Sequence, residues 1–313
     1  YYGNRGLFSG GYTTAYVDTI DYTTISTTVD AVDFGDAQES ISMKAVVSNG
    51  SRGLMAGGRG AAPLSPTYRN VIDFITFAST GNASDFGDIL VGQEGPTGVS
   101  DGNRGVFAGG KAPTASDTIE FVAITVAGNA TDFAGELTTE ALQRKGGHSN
   151  GSRGVFTGGS PPTRDHIEYI TIGTLGDSID FGELFVASTN FASLTDGSRA
   201  IVAGGDPNVD HMHYLNMASL GNSADFGELA ESRGAAGGYF LEKPASEIKL
   251  SNIIFAVDEE VKMLNCKKHS RKGCNHKSVK CITHNLWDEL DQHINGFFEK
   301  VKLEDLVDKS RQT

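Results

Sequence analysis

The sequence predicts an all-β fold: a β-propeller of five four-stranded blades, closed by a C-terminal strand and followed by a small α-helical tail. Three observations lead there. The phrase G-[NS]-R-[GA]-x-x-x-G-G occurs five times, with its arginine at Arg5, Arg52, Arg104, Arg153 and Arg199, a period near 48 residues. Each copy runs into an aliphatic-acid-aromatic stretch, from Thr19-Ile20-Asp21-Tyr22 to the looser His211-Met212-His213-Tyr214, and then into Asp-Phe, as at Asp85-Phe86 and Asp225-Phe226. Glycine supplies 40 of 313 residues, about twice the usual share, so the chain is rich in tight turns.

Within a unit, a weak strand such as Lys44-Ala-Val-Val-Ser48 precedes the arginine. The second strand, as in Arg104-Gly-Val-Phe-Ala-Gly-Gly110, is a short apolar run ending at a double glycine. The third, Ile167-Glu168-Tyr169-Ile170-Thr171-Ile172, alternates like a half-buried strand. Gly-Asn-Ala-Thr/Ser turns at 81–84 and 128–131 lead into the Asp-Phe strand. Such a sheet cannot bury a core alone, whereas radially stacked units cover one another. Copy one starts at Gly3 with no room for a first strand, and Ala230 to Gly238 is an extra strand with no repeat behind it. That segment is expected to complete blade one, with a six-bladed ring as the alternative.

The double glycine and the aliphatic-acid-aromatic strand resemble kelch repeats, without the late tryptophan of a kelch blade. Gly-Ser-Arg-Gly-Val-Phe-Thr-Gly-Gly, Ile-Glu-Tyr-Ile-Thr-Ile and Gly-Asn-Ala-Thr-Asp-Phe are similar to the kelch-like repeats of virion structural and tail-fibre proteins of tailed phages, notably those of cyanobacteria. The resemblance covers residues 3–238 and carries no catalytic residues.

Composition divides the chain near residue 238, into a propeller over 1–238 and a tail over 239–313. Lys and Arg number 13 against 27 Asp and Glu in the first part, a net −14, and 13 against 12 in the tail, a net +1. So acidic a surface argues against phosphate-backbone binding, and nucleic acid is not an expected partner. No run of 18 apolar residues occurs, so no membrane insertion is expected. The recurring Asp-Phe is read as blade architecture, its Asp capping a turn and its Phe filling the space between blades. The five arginines are read as structural, bonding a neighbouring blade's backbone or stacking on an aromatic ring, with a ring of ligand contacts at one propeller face as the alternative. Sequons at Asn49, Asn82, Asn129 and Asn150 coincide with repeat turns, and His211 with His213 form a same-face pair read as a blade substitution.

The tail carries the pointed chemistry. Ile254, Val257, Val261 and Leu264 share one face of a helix over 251–264, and Leu286, Leu290, Ile294, Phe297 and Val301 make a second apolar stripe. Between them lie Cys266 and His269, Cys274 and His276, Cys281 and His284. Thiolates and imidazoles are zinc's preferred ligands, so four of these six are expected to hold a structural Zn2+. The basic run Lys267, Lys268, Arg271, Lys272, Lys277 and Lys280 reads first as a solvated loop, with contact to nucleic acid, to an acidic partner or to the acidic propellers of neighbouring subunits as the alternatives.

Taken with the resemblance, these readings imply a non-enzymatic virion component. It would sit in many copies in an extracellular phage particle, docked by its tail onto other virion proteins, with blade loops facing a host-surface glycan or protein. The alternative is an intracellular kelch-type protein-interaction adaptor. The second is a metal-dependent enzyme using the tail's Cys and His residues.

Overall fold

A computed structural model describes residues 5–25, 29–61, 67–138, 145–234, 249–251, 290, 293–294, 296–302 and 305. The chain divides into two compact units: residues 1–23 with 31–240, and residues 24–30 with 241–313.

The first unit is a five-bladed β-propeller arrangement. Blade one contains β1 (Arg5–Tyr12), β2 (Tyr16–Thr24) and β3 (Val32–Asp36), hydrogen-bonded in that order. A two-stranded ribbon of β4 (Ile41–Ser42) and β7 (Arg59–Gly60) flanks blade two. Blade two orders β5 (Ala45–Ser48), β6 (Arg52–Ala56), β8 (Val71–Thr76) and β9 (Ser84–Asp88). Blade three is β10 (Thr97–Ser100), β11 (Arg104–Ala108), β12 (Thr118–Ala123) and β13 (Thr131–Glu136). Blade four is β14 (Gly146–Ser149), β15 (Arg153–Thr157), β16 (His166–Thr171) and β17 (Ile179–Glu183). Blade five is β18 (Ala192–Thr195), β19 (Arg199–Ala203), β20 (Val209–Asn216) and β21 (Ala224–Arg233). Every paired strand is antiparallel, which the short turns allow. Ala230–Arg233, expected to complete blade one, instead extends β21 of blade five, with Arg233 opposite Val209, and the sheet of blade one has three strands among the described residues; residues 235–238 lie outside them.

One stack of side chains recurs in all five blades. The repeat arginine lies over the aromatic ring of the third strand, from 4.2 Å for Arg104 on Phe121 to 5.0 Å for Arg52 on Phe74. That ring meets the Asp-Phe phenylalanine edge to face: Tyr22–Phe34 at 5.9 Å, Phe121–Phe133 at 6.0 Å, Tyr214–Phe226 at 6.1 Å. The guanidinium then crosses to the next blade. Arg5 donates to the carbonyl of Phe77, Arg52 to Thr125, Arg104 to Ile172 and Arg153 to Met217, at 2.6 to 3.0 Å. The stack in all five blades, with the crossing bond in four, gives the arginines the structural role their repeat position suggested.

A second set of contacts closes the outer rim of each junction. The carbonyls of Phe34, Phe86, Phe133 and Phe181 accept the N–H of Gly81, Gly128, Gly176 and Gly221 in the following blade. The approach is close enough to dictate glycine: a Cβ at Gly87, where φ is +143°, would lie 2.5 Å from the carbonyl of Gly128. The Asp caps its turn in four of the motifs, Asp33, Asp85 and Asp225 Oδ1 accepting from the N–H of Gly35, Gly87 and Gly227, and Asp132 Oδ1 from Ala134 N. The sequon asparagines are turn residues, as read. Asn49 and Asn150 accept the backbone N–H of Arg52 and Arg153, and Asn82 and Asn129 accept the backbone N–H of Asp36 and Asp88 in the preceding blade.

The junction from blade five to blade one differs. Phe34, Phe86, Phe133 and Phe181 are at most 3% exposed, but Phe226 is 47% exposed. On the opposite flank, Phe8 occupies the strand position of Met55, Phe107, Phe156 and Val202, all at most 6% exposed, and is itself 51% exposed. Ala31 is exposed where Ala83, Ala130, Ser178 and Ser223 are buried, and Val29-Asp30 stands where the other turns carry Gly-Asn or Gly-Asp. Among the described residues, Arg199 makes the stack without the cross-blade hydrogen bond. The junctions therefore differ in what a truncation removes. Phe133→Ala should cost about 3–5 kcal/mol, as a fully buried aromatic does, and Phe226→Ala below about 1.5 kcal/mol in dilute solution; denaturant unfolding of both variants checks the contrast.

Candidate functional site

In blades two, three and four the acid of the aliphatic-acid-aromatic strand turns inward between blades. Asp73, Glu120 and Glu168 are at most 1% exposed. Each takes a backbone N–H from the loop leaving the preceding blade: Asp73 from Gln38 at 3.4 Å, Glu120 from Leu90 at 2.7 Å and Glu168 from Thr138 at 2.9 Å. A buried carboxylate needs compensation, and the three blades supply it differently. Glu168 is ion-paired with the buried Lys145 and accepts from Ser178 Oγ at 2.7 Å. Burial pushes its carboxyl up, but Lys145 and the Ser178 hydroxyl outweigh that and hold it below the usual carboxylate range. Lys44 plays the opposing part for Asp73, yet burial prevails and the Asp73 carboxyl is pushed up. Glu120 has Leu90 N–H and Gln93 Nε2, at 3.4 Å, as its polar contacts, and burial pushes it up to about 7.

In blade five the acid is replaced by His213. It is buried and faces Phe185 at 5.9 Å and His211 at 6.3 Å between ring centroids. The loop N–H that an acid would take, from Phe185, goes instead to Ser223 Oγ at 2.9 Å. This is the blade substitution the sequence suggested, and no cluster of three or more His, Cys, Asp or Glu suited to a metal occurs among the described residues.

Where the innermost strands converge, a cavity of about 630 Å³ is lined mainly by apolar side chains, among them Leu7, Val47, Met55 and Val99, with Ser100 and His148. His148 is wholly buried, lies 3.3 Å from Thr157 Oγ1 through Nε2, and burial drives its imidazole down to about 4. It is neutral near pH 7 and offers the cavity no charge.

Sequence reasoning noted the acids as part of a strand pattern but not their burial. The available signal was positional: an acid between an aliphatic and an aromatic residue, in a strand covered on both faces, needs a partner.

Of the tail, Leu250 and Ser251 are helical, and so are Leu290, His293, Ile294 and Gly296 to Phe298. Leu250 N donates to Val301 O at 2.8 Å, and Lys249 pairs with Glu299 at 2.7 Å. Phe297, assigned to the apolar stripe, is 58% exposed. The six anticipated metal ligands, Cys266, His269, Cys274, His276, Cys281 and His284, lie outside the described residues, as does the basic run 267–280.

The tail's sequence decides its relationship. Residues 225–309 match the Rrf2 family, described as an iron-dependent transcriptional regulator. The chain is 47% identical over 75 residues to the HTH-type transcriptional regulator IscR of Photorhabdus laumondii, covering 24% of this chain and 44% of that protein. It is 42% identical over 79 residues to IscR of Serratia proteamaculans (25% and 46%), and 41% over 75 residues to IscR of Klebsiella pneumoniae (24% and 44%). This chain thus spans less than half the length of these curated relatives. The match starts at Asp225, within β21.

These findings correct several expectations. The likeness to phage tail-fibre and virion proteins, with the virion partners, host-surface binding and extracellular particle drawn from it, gives way to the likeness to transcriptional regulators. The exclusion of nucleic acid also falls. It averaged charge over the −14 propeller, whereas the matched segment carries the basic run of the +1 tail. The matched proteins are regulators rather than enzymes.

The buried acids predict a pH effect with a definite sign. Glu120 has its folded value raised from near 4.5 to about 7, so its contribution to stability is full below about pH 4.5 and is lost as pH rises through 7. Glu120→Gln should remove that loss, stabilising the propeller by on the order of 1–3 kcal/mol above about pH 7 with little gain below pH 4.5. Thermal melts of variant and parent across this range measure the difference.

Proposed function

We propose that the chain is a non-catalytic, iron-responsive transcriptional regulator, with residues 239–313 as its metal- and DNA-directed segment and the propeller as its protein-interaction module. The observation that carries this reading is the match of residues 225–309 to an iron-dependent regulator family. Three further features support it. The basic run Lys267 to Lys280 supplies the cations that neutralise phosphates. The propeller, at −14, is repelled by the same phosphates and is suited instead to a protein partner. The rigid blades, joined by loops of unequal length such as Lys111 to Asp117 and Ser160 to Asp165, form the frame of an adaptor.

The donor set fits iron. Cysteine thiolates hold iron–sulfur clusters, and histidine can replace cysteine on a cluster iron. Cys266, Cys274 and Cys281, completed by one of His269, His276 and His284, would hold it, and iron takes the place of the zinc expected from residue types alone. When bound, such a group supplies a state sensitive to iron supply and oxidation. The chain's own part is to present the thiolates beside the lysines, so that loading the site alters the placement of the cations meant for phosphate.

Selection from a random DNA library with the full chain, prepared without oxygen, tests the reading. An enriched sequence is expected, bound with a steep salt dependence. Cys266→Ala with Cys281→Ala should abolish iron retention and change affinity for the selected DNA by at least about tenfold, while Lys267→Ala with Lys268→Ala should weaken all sequences alike. No enrichment at any iron loading would contradict the proposal.

A further inference from the structure

We propose that the exposed flank of blade five is a docking surface for the exposed flank of blade one of a second copy of this chain, joining propellers head to tail. The four internal junctions define what each flank accepts. The leading side of a junction offers an arginine stacked on an aromatic ring, a phenylalanine against that ring and the phenylalanine's free carbonyl. The receiving side offers an apolar side chain from the second strand, a buried acid from the third (His213 in blade five) and a small residue at the rim.

Both halves of a further junction are present and uncovered. Blade five carries the complete leading set: Arg199 stacked 4.8 Å over Tyr214, and Tyr214 edge-on to Phe226, which is 47% exposed. A Cβ on Gly227 would have Met212 Cε, at 3.7 Å, as its nearest neighbour, although its counterparts Gly35, Gly87, Gly135 and Gly182 all press within 2.5 Å of the next blade's backbone. Blade one carries the receiving set: Phe8, 51% exposed, in the place of Phe107 and Phe156; Asp21, half-buried, in the place of Asp73 and Glu120; and Ala31, exposed, in the place of Ala83 and Ala130. An aromatic side chain kept at a position that is buried in every internal junction, yet half in water here, is a side chain built for a partner. The occupant is a blade flank because the geometry on both sides is that of a blade junction. The two patches are different surfaces, so the contact is heterologous and propagates rather than stopping at a symmetric pair.

Sedimentation velocity of the full chain over a wide concentration range tests this. The parent should sediment faster as concentration rises. Phe226→Asp and Phe8→Asp, each shown by circular dichroism to keep its β signal, should each weaken self-association by about 10- to 100-fold. Mixed in equal amounts, the two variants retain one sound flank each, and the mixture should form a dimer that does not grow further. Val126→Asp, at a turn site 67% exposed, should leave association unchanged. A parent that stays monomeric at every concentration, variants that associate like the parent through some other surface, or a mixture that fails to dimerise would each overturn the proposal.

Discussion

The structure depends on a charged group made safe between blades. The repeat arginine lies flat on an aromatic ring of its own blade, which shields one face of the guanidinium, and spends its donors on a carbonyl of the next blade. Its in-blade partners, the third-strand aromatic ring and the Asp-Phe phenylalanine, fill the wedge between sheets. A single substitution therefore touches intrablade packing and interblade adhesion together. This coupling makes a blade, which cannot bury a core by itself, part of a stable array.

The same construction explains the polar interior. Strands covered on both faces still need their departing loops held, and a buried carboxylate accepting the loop N–H does that at three of the junctions. Blade four supports its acid with a lysine, blade two sets a lysine near its acid, and blade three provides amide donors. In blade five a histidine and a phenylalanine pack together, and the loop is held by a serine instead. The contact is maintained although the chemistry that makes it is exchanged.

Much of this was legible before any coordinates. The five arginines, the double glycines and the Asp-Phe pairs fixed the strand order, and the turn residues Asn49, Asn82 and Asp85 sit where their chemistry suggested. The burial of Glu120 and Lys145 was hidden because single-sequence patterning shows which face a residue lies on, not what the adjoining blade places opposite it. The exposure of Phe226 and Phe8 was hidden for a related reason: they look like their repeat counterparts, and only the absence of a neighbour sets them apart. In the tail, thiolates and imidazoles signalled a metal, and residue type alone pointed to zinc; iron is proposed on the similarity to an iron-dependent regulator family, which residue type does not reveal. Charge misled where it was averaged: one acidic propeller concealed a short basic segment.

An adhesive β array is joined in sequence to a tail proposed to bear a regulatory metal, and that metal is the claim most open to test. X-ray absorption at the iron edge of the full chain, purified without oxygen, tests it most directly. The account predicts iron bound in a sulfur-dominated shell with neighbouring iron scatterers, lost when Cys266, Cys274 and Cys281 are replaced. A chain that carries zinc or no metal, or iron surrounded by oxygen and indifferent to those cysteines, would contradict it.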